Sequence, residues 1–188
     1  MKTIISLILA LSLTNSARPQ EMDVPIEQQL PLLLKILCFD RALKERVGDE
    51  IVFAVIYQKK YKKSLNVKEG LESNINKLVA NKIDNIPISF MVIDMSDEID
   101  LSSIIDNNHV DVIYVTPVKA LNIESVTSVS RQKHIMTLTG ISEYVESGIA
   151  VGIGAKGGKP QIMINLPSAK AEGIDFSSQL LKMAKIID

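Results

Sequence analysis

Residues 51–57 read Ile51-Val52-Phe53-Ala54-Val55-Ile56-Tyr57, an unbroken apolar run in which Ile51, Val52, Val55 and Ile56 are β-branched. A strand with one wet face alternates polar and apolar residues; this one does not, so it predicts a strand buried on both faces. Two-faced burial requires helices on both sides of the sheet. Further along, Leu71, Ile75, Leu78 and Val79 recur at helical spacing within 67–80, and Ile88-Ser89-Phe90-Met91-Val92-Ile93 reads as a second strand. The pattern then repeats, with a short helix over 101–107, a strand over 110–115, a helix over 123–133 and a strand over 135–139. Successive βα steps of this kind predict a parallel sheet with right-handed crossovers. Before the first strand, 26–43 is rich in apolar residues, with Pro25 at a plausible first helical position, and is expected to be a helix that starts or kinks near Pro31.

The last third changes rhythm. Two apolar runs, 149–155 and 161–165, flank Lys156-Gly157-Gly158-Lys159, and paired glycines between strands signal a tight hairpin. Residues 167–172 are expected to be helical. A closing helix is expected over 177–187, with Leu180, Leu181, Ala184 and Ile187 as its apolar stripe. The expected fold is therefore α/β: a single domain with a mostly parallel sheet flanked by helices, a C-terminal antiparallel hairpin and a closing helix.

The chain's ends and composition narrow the function. Met1 and Lys2 give a positive start, 4–13 is apolar, and Thr14-Asn15-Ser16-Ala17 is a run of small and polar residues. That order is the plan of a secretory signal peptide, and the apolar stretch falls short of the ~20 residues a spanning helix needs. We expect residues 1–17 to be removed on export, leaving a domain over 18–188. Loss of Lys2 moves the formal net charge from −1 to −2. Export argues against kinases, GTPases and nicotinamide enzymes, whose cofactors stay in the cytoplasm, and no cofactor is expected. The near-neutral charge and an aromatic content of 4% argue against nucleic-acid binding. Cys38 is the only cysteine, so an internal disulfide is impossible; among apolar neighbours it is expected to be a buried, inert thiol.

No motif points to catalysis or a metal. Gly152, Gly154 and Gly157 match G-x-G-x-x-G, but a strand-like run follows where a phosphate-binding helix would have to begin. His109 and His134 are the only histidines; they lack HExxH spacing, and no G-x-S-x-G elbow accompanies them. Asp94, Asp97, Glu98 and Asp100 read as a loop whose carboxylates cap the next helix. The strongest charge feature is Lys59, Lys60, Lys62 and Lys63, directly after the first strand. Carboxyl ends of strands are where α/β sheets bind ligands, so this run offers a docking point to an anion or an acidic surface; a plain solvated loop is the competing reading. Asn165, Ser177 and Ser178 are further candidate contact residues, with helix capping as the simpler account.

The tail carries recognisable spacing: Ile162-Met163-Ile164-Asn165, then Ala169, Gly173, and Ser177-Ser178-Gln179-Leu180-Leu181-Lys182-Met183-Ala184. It resembles the end of the YfiR-type family of exported bacterial proteins, and the hairpin from Gly148 to Gly158 fits the same family. The chain departs from many members in having no Trp and no cysteine pair. The resemblance implies a periplasmic, non-enzymatic repressor, often dimeric, that holds the periplasmic sensor region of a membrane diguanylate cyclase or sensor kinase and so lowers cyclic-di-GMP and restrains biofilm growth. A small-molecule (anion) binding domain, like one lobe of a solute-binding protein, is the alternative.

Overall fold

The computed structural model describes residues 22–78, 82–119 and 121–188. The signal peptide expected over 1–17, and Val79 and Ala80 of the second expected helix, lie outside them. The elements are α1 (Ile26–Leu37), α2 (Leu43–Arg46), β1 (Ile51–Tyr57), α3 (Lys62–Leu78), β2 (Ile88–Asp94), α4 (Leu101–Asn108), β3 (Val112–Val115), α5 (Ile123–Lys133), β4 (Met136–Thr139), α6 (Ser142–Glu146), β5 (Val151–Lys156), β6 (Lys159–Asn165), α7 (Leu166–Ala171), α8 (Ser178–Met183) and β7 (Lys185–Ile187).

The strands form one seven-stranded sheet in the order β2-β1-β3-β4-β5-β6-β7. Every pairing is parallel except β5 with β6. Alternation along the strands sorts the core into two layers. Phe53 and Val55 of β1, Val112 and Tyr114 of β3, and Met136 and Leu138 of β4 pack with Leu30, Leu33 and Leu37 of α1, Leu71 of α3 and Leu180 of α8. Ala54, Ile56, Ile113 and Val115 face the other way, onto Leu101 and Ile105 of α4, Val126 of α5 and Tyr144 of α6. The two-faced burial read from 51–57 is realised.

The hairpin turns on Gly157 and Gly158, with φ of +59° and +74°. Two successive positive φ values suit the right-handed twist of the flanking strands, and glycine adopts them without a Cβ clash. The G-x-G-x-x-G match thus runs along β5, which holds Gly152 and Gly154, into the turn at Gly157.

Several local expectations need correction. The first helix stops at Leu37 because the chain turns there: Asp40 bridges to Phe176, and α2 follows as a separate turn. Cys38 is consequently exposed. It caps α1 beyond the buried face of Leu30, Leu33, Leu34 and Leu37, and what burial it has, with Asp84 nearby, pushes its thiol up. The second helix starts at Lys62, ahead of its apolar stripe, so Lys62 and Lys63 sit in its first turn and only Lys59 and Lys60 in the connection. One-turn α6 is too short to show a period and was not expected. The closing helix ends at Met183; Ala184 is extended, and Lys185–Ile187 adds a strand beside β6, so Ile187 belongs to the sheet. His109 and His134 lie at the ends of α4 and α5 with φ of +51° and +55°.

Candidate functional site

Strand order places the topological switch point between β1 and β3, which carry their outgoing connections to opposite sides of the sheet. Beyond the carboxyl ends of strands flanking such a point, α/β sheets open a crevice for ligands. Here the chain's own side chains bridge it. Gln58 follows β1; its Oε1 accepts the Lys119 N–H (2.7 Å), and its Nε2 donates to the carbonyls of Lys119 (3.1 Å) and Met95 (3.4 Å). Its main-chain N–H donates to Ser64 Oγ (2.8 Å), which lies 2.6 Å from Thr116 Oγ1. Ser64 and Thr116 are fully buried. One amide thus ties together the loops after β1, β2 and β3.

The lysines sit on this end of the sheet, interleaved with acids. The Lys59 N–H donates to the Asp94 carboxylate (3.1 Å), and the Lys60 N–H to Ser96 Oγ (3.2 Å). Lys60 Nζ reaches Asp97 at 2.5 Å, a bond that raises the ammonium above its ordinary value. Burial acts to push Asp94 up, but the Ser96 hydroxyl and the N–H groups of Lys59 and Ser96 hold it below the usual carboxylate range. The acidic loop also caps its helix, as expected: Asp100 accepts the N–H (3.0 Å) and hydroxyl (2.6 Å) of Ser103. The run is therefore a mixed-charge rim rather than a concentrated cationic patch.

Asn165, Ser177 and Ser178 lie at the opposite end of the sheet. Asn165 ends β6, where it caps α7 by accepting the Ser168 N–H (3.0 Å) and donates to the Val145 carbonyl (2.9 Å). Ser177 Oγ caps α8 by accepting the Leu180 N–H (3.4 Å), and its own N–H donates to Phe39 O. Exposed Ser178 is the first residue of α8 and borders a shallow depression with Arg41, Lys170 and Phe176. These three do not meet the lysines.

The sequence did not single out a cavity of about 510 Å³ at the amino ends of β1, β3 and β4, where both histidines converge with Arg46, Glu50, Asp111 and Lys133. Asp111 accepts the Val52 N–H (2.9 Å), and burial raises its carboxyl. Arg46 donates to the His134 carbonyl (3.0 Å) and to Asp40, while its buried Nε has no partner among the described residues. Among the described residues, no Ser, Thr or Cys lines the cavity beside the histidines. Only the shared position of both histidines at helix ends could have hinted at the convergence.

A family model described as YfiR/HmsC-like matches residues 49–185. A search of curated proteins finds no match. Among solved structures, the chain is similar to an ABC domain in complex with L-Trp from Streptococcus pneumonia (TM-score 0.58, 14% identity, covering 87% of this chain and 60% of that one). It is also similar to a conserved domain protein from Vibrio cholerae (TM-score 0.56, 18% identity, 87% and 60%). A third is the ligand-free, open form of a substrate-binding protein with adhesive properties from Clostridium difficile (TM-score 0.52, 18% identity, 82% and 59%). At these identities the likeness is one of fold, and the chain spans about 60% of the length of the structures it matches.

Proposed function

The chain belongs to the YfiR/HmsC-like family, and on that premise we propose that it is a periplasmic regulatory protein that binds and represses the sensor region of an inner-membrane signalling protein. Membership itself supports the periplasmic regulatory role, and the family match is the observation that carries the reading. The finer identification is a diguanylate cyclase as the partner, held inactive through its periplasmic region, so that cyclic-di-GMP falls. Export through the leader at 1–17 and a role without catalysis belong to the same proposal. The bridged crevice at the switch point supports a protein partner over a small ligand, because Gln58 occupies the bonds a ligand would need there.

Deleting the protein from cells that carry a neighbouring cyclase is expected to raise cyclic-di-GMP, and the purified chain is expected to capture that cyclase's periplasmic region. Unchanged cyclic-di-GMP together with no capture rejects the proposal.

A second reading is favoured by the fold likeness to a substrate-binding protein and to an ABC domain in complex with L-Trp: a domain that binds a small anion at the rim of Lys59, Lys60, Lys62 and Lys63. It requires a stabiliser in a thermal-shift screen of anionic metabolites, with the effect lost when these four lysines become Ser. A flat screen removes it.

A further inference from the structure

Buried polar side chains gather where α7 ends: Ser130 of α5, Thr137 of β4, Ser168 of α7 and Glu172, the residue that caps α7. Glu172 Oε1 lies 2.8 Å from Ser130 Oγ and 2.7 Å from Thr137 Oγ1, and Oε2 accepts the Thr137 N–H at 2.9 Å. Ser130 Oγ has a further acceptor, the Thr127 carbonyl at 3.0 Å. A hydroxyl carries one hydrogen, so it serves one of these acceptors at a time. With Glu172 ionised, Ser130 donates to the carboxylate. With Glu172 protonated, the carboxylic O–H donates to Ser130 Oγ, whose own hydrogen turns to Thr127. Rotation of one hydroxyl thus satisfies either protonation state.

The charges around the cluster are few. Arg131 of α5 donates to Ser168 Oγ (3.1 Å) and to the Gly148 carbonyl (3.4 Å), and its field favours the carboxylate. His134 and Arg46 flank the adjacent Gly173, and Arg46 is committed to Asp40. The strand β4 brings no charge, and Lys170 of α7 is exposed. Burial of the carboxyl outweighs Arg131 and the three donors and raises it.

The segment that Glu172 fastens is terminal. After Asn165 the chain forms α7, α8 and β7, and among the described strands β7 pairs with β6 alone. Beyond Glu172 it is tied to the turn after α1, where Arg41 N–H donates to the Asp175 carbonyl (2.9 Å) and Ser177 N–H to the Phe39 carbonyl (2.9 Å). Its departure breaks no pairing among β1 to β6. Units of this kind open at a lower free energy than the whole domain.

We propose that Glu172 is a proton-controlled latch on the segment 166–188: protonated, it keeps the segment closed on α5 and β4, and loss of its proton to solvent favours a locally opened state in which the carboxylate is hydrated. The latch is a pH response of the fold and stands independently of the regulatory reading.

Native-state hydrogen exchange on the exported chain at pH 6 and pH 8, corrected for the intrinsic rate at each pH, tests it. The amides of α7, α8 and β7 are expected to exchange through one shared opening that lies below global unfolding. That opening is expected to grow about tenfold between the two pH values, the ratio given by a carboxyl moved from 4.5 to about 7. Glu172→Gln is expected to abolish the growth. Thr137→Val, which removes a donor to the ionised form, is expected to enlarge it and serves if the Gln variant fails to fold. His134→Asn, which tolerates the positive φ at the end of α5, is expected to leave it unchanged and so separates the carboxyl from the neighbouring imidazole. Growth that persists in Glu172→Gln, growth lost in His134→Asn, or a segment that opens only together with β1 and β3 overturns the proposal. So does a flat response in wild type.

Discussion

Glu172 accepts both the main-chain N–H (2.9 Å) and the hydroxyl (2.7 Å) of Thr137 through its two carboxylate oxygens. With Ser130 Oγ donating at 2.8 Å, this fully buried side chain joins the end of α7 to α5 and β4. Burial is the dominant influence on its carboxyl, outweighing the bonds from Thr137 and Ser130 and the field of Arg131, and raises it to about 7.

The raised value fixes the sign of a pH effect. The protonated form is favoured in the fold, so the contribution to stability is fully present below about 4.5 and is lost as pH rises through about 7. The loss is on the order of 3 kcal/mol. Denaturant melts at pH 5 and pH 8 are expected to show wild type losing stability relative to Glu172→Gln, which does not titrate. Parallel pH profiles for the two proteins contradict this.

Asp40 is the second buried carboxylate, its side chain 0% exposed against 11% for its partner Arg46. It also accepts the N–H groups of Ala42 and Asp175, both at 3.0 Å, and so pins the end of α1 to the segment before α8. Asp40→Ala is expected to cost about 3–5 kcal/mol, since it strands a nearly buried guanidinium and two amides. Adding Arg46→Met is expected to recover part of that loss. Urea midpoints measure both, and strictly additive losses argue against the coupling.

At Gly140 a larger residue would force a neighbour to shift. A Cβ there would crowd the side-chain amide of Gln29, and Gln29 is fully buried, accepting from Tyr114 Oη (3.1 Å) and donating to the Val24 carbonyl (2.5 Å). Gly140→Ala is expected to destabilise by about 1–3 kcal/mol through overpacking. Combined with Gln29→Ala, it is expected to cost less than the sum of the single changes. A double-mutant cycle by chemical denaturation decides the point.

At the hairpin the constraint is conformational, because a Cβ on Gly157 or Gly158 meets nothing within 4 Å. Gly157→Asn is expected to be nearly neutral, since Asn tolerates positive φ, whereas Gly157→Val is expected to cost about 1–2 kcal/mol. Equal thermal midpoints for the two variants count against this account.

What the sequence alone determined was what short-range pattern encodes. The apolar run at 51–57 dictates a two-faced strand, the recurring βα rhythm dictates a layered parallel sheet, and Gly157-Gly158 dictates a hairpin, because each is a property of a few neighbouring residues. The tail from Ile162 to Ala184, with the hairpin from Gly148 to Gly158, also carried the family resemblance that the match over 49–185 bears out. Tertiary structure decided the rest. Lys185–Ile187 could continue a helix or join a sheet, and the free edge of β6 settles it as a strand. Exposed Cys38 reflects where the chain turns after α1, and the bridging of the crevice by Gln58 depends on loops after β1, β2 and β3 meeting in space. Whether β2 or another strand lies at the edge follows from strand order alone. Pairing energy is shared between segments distant in sequence, and no local window of either one contains it.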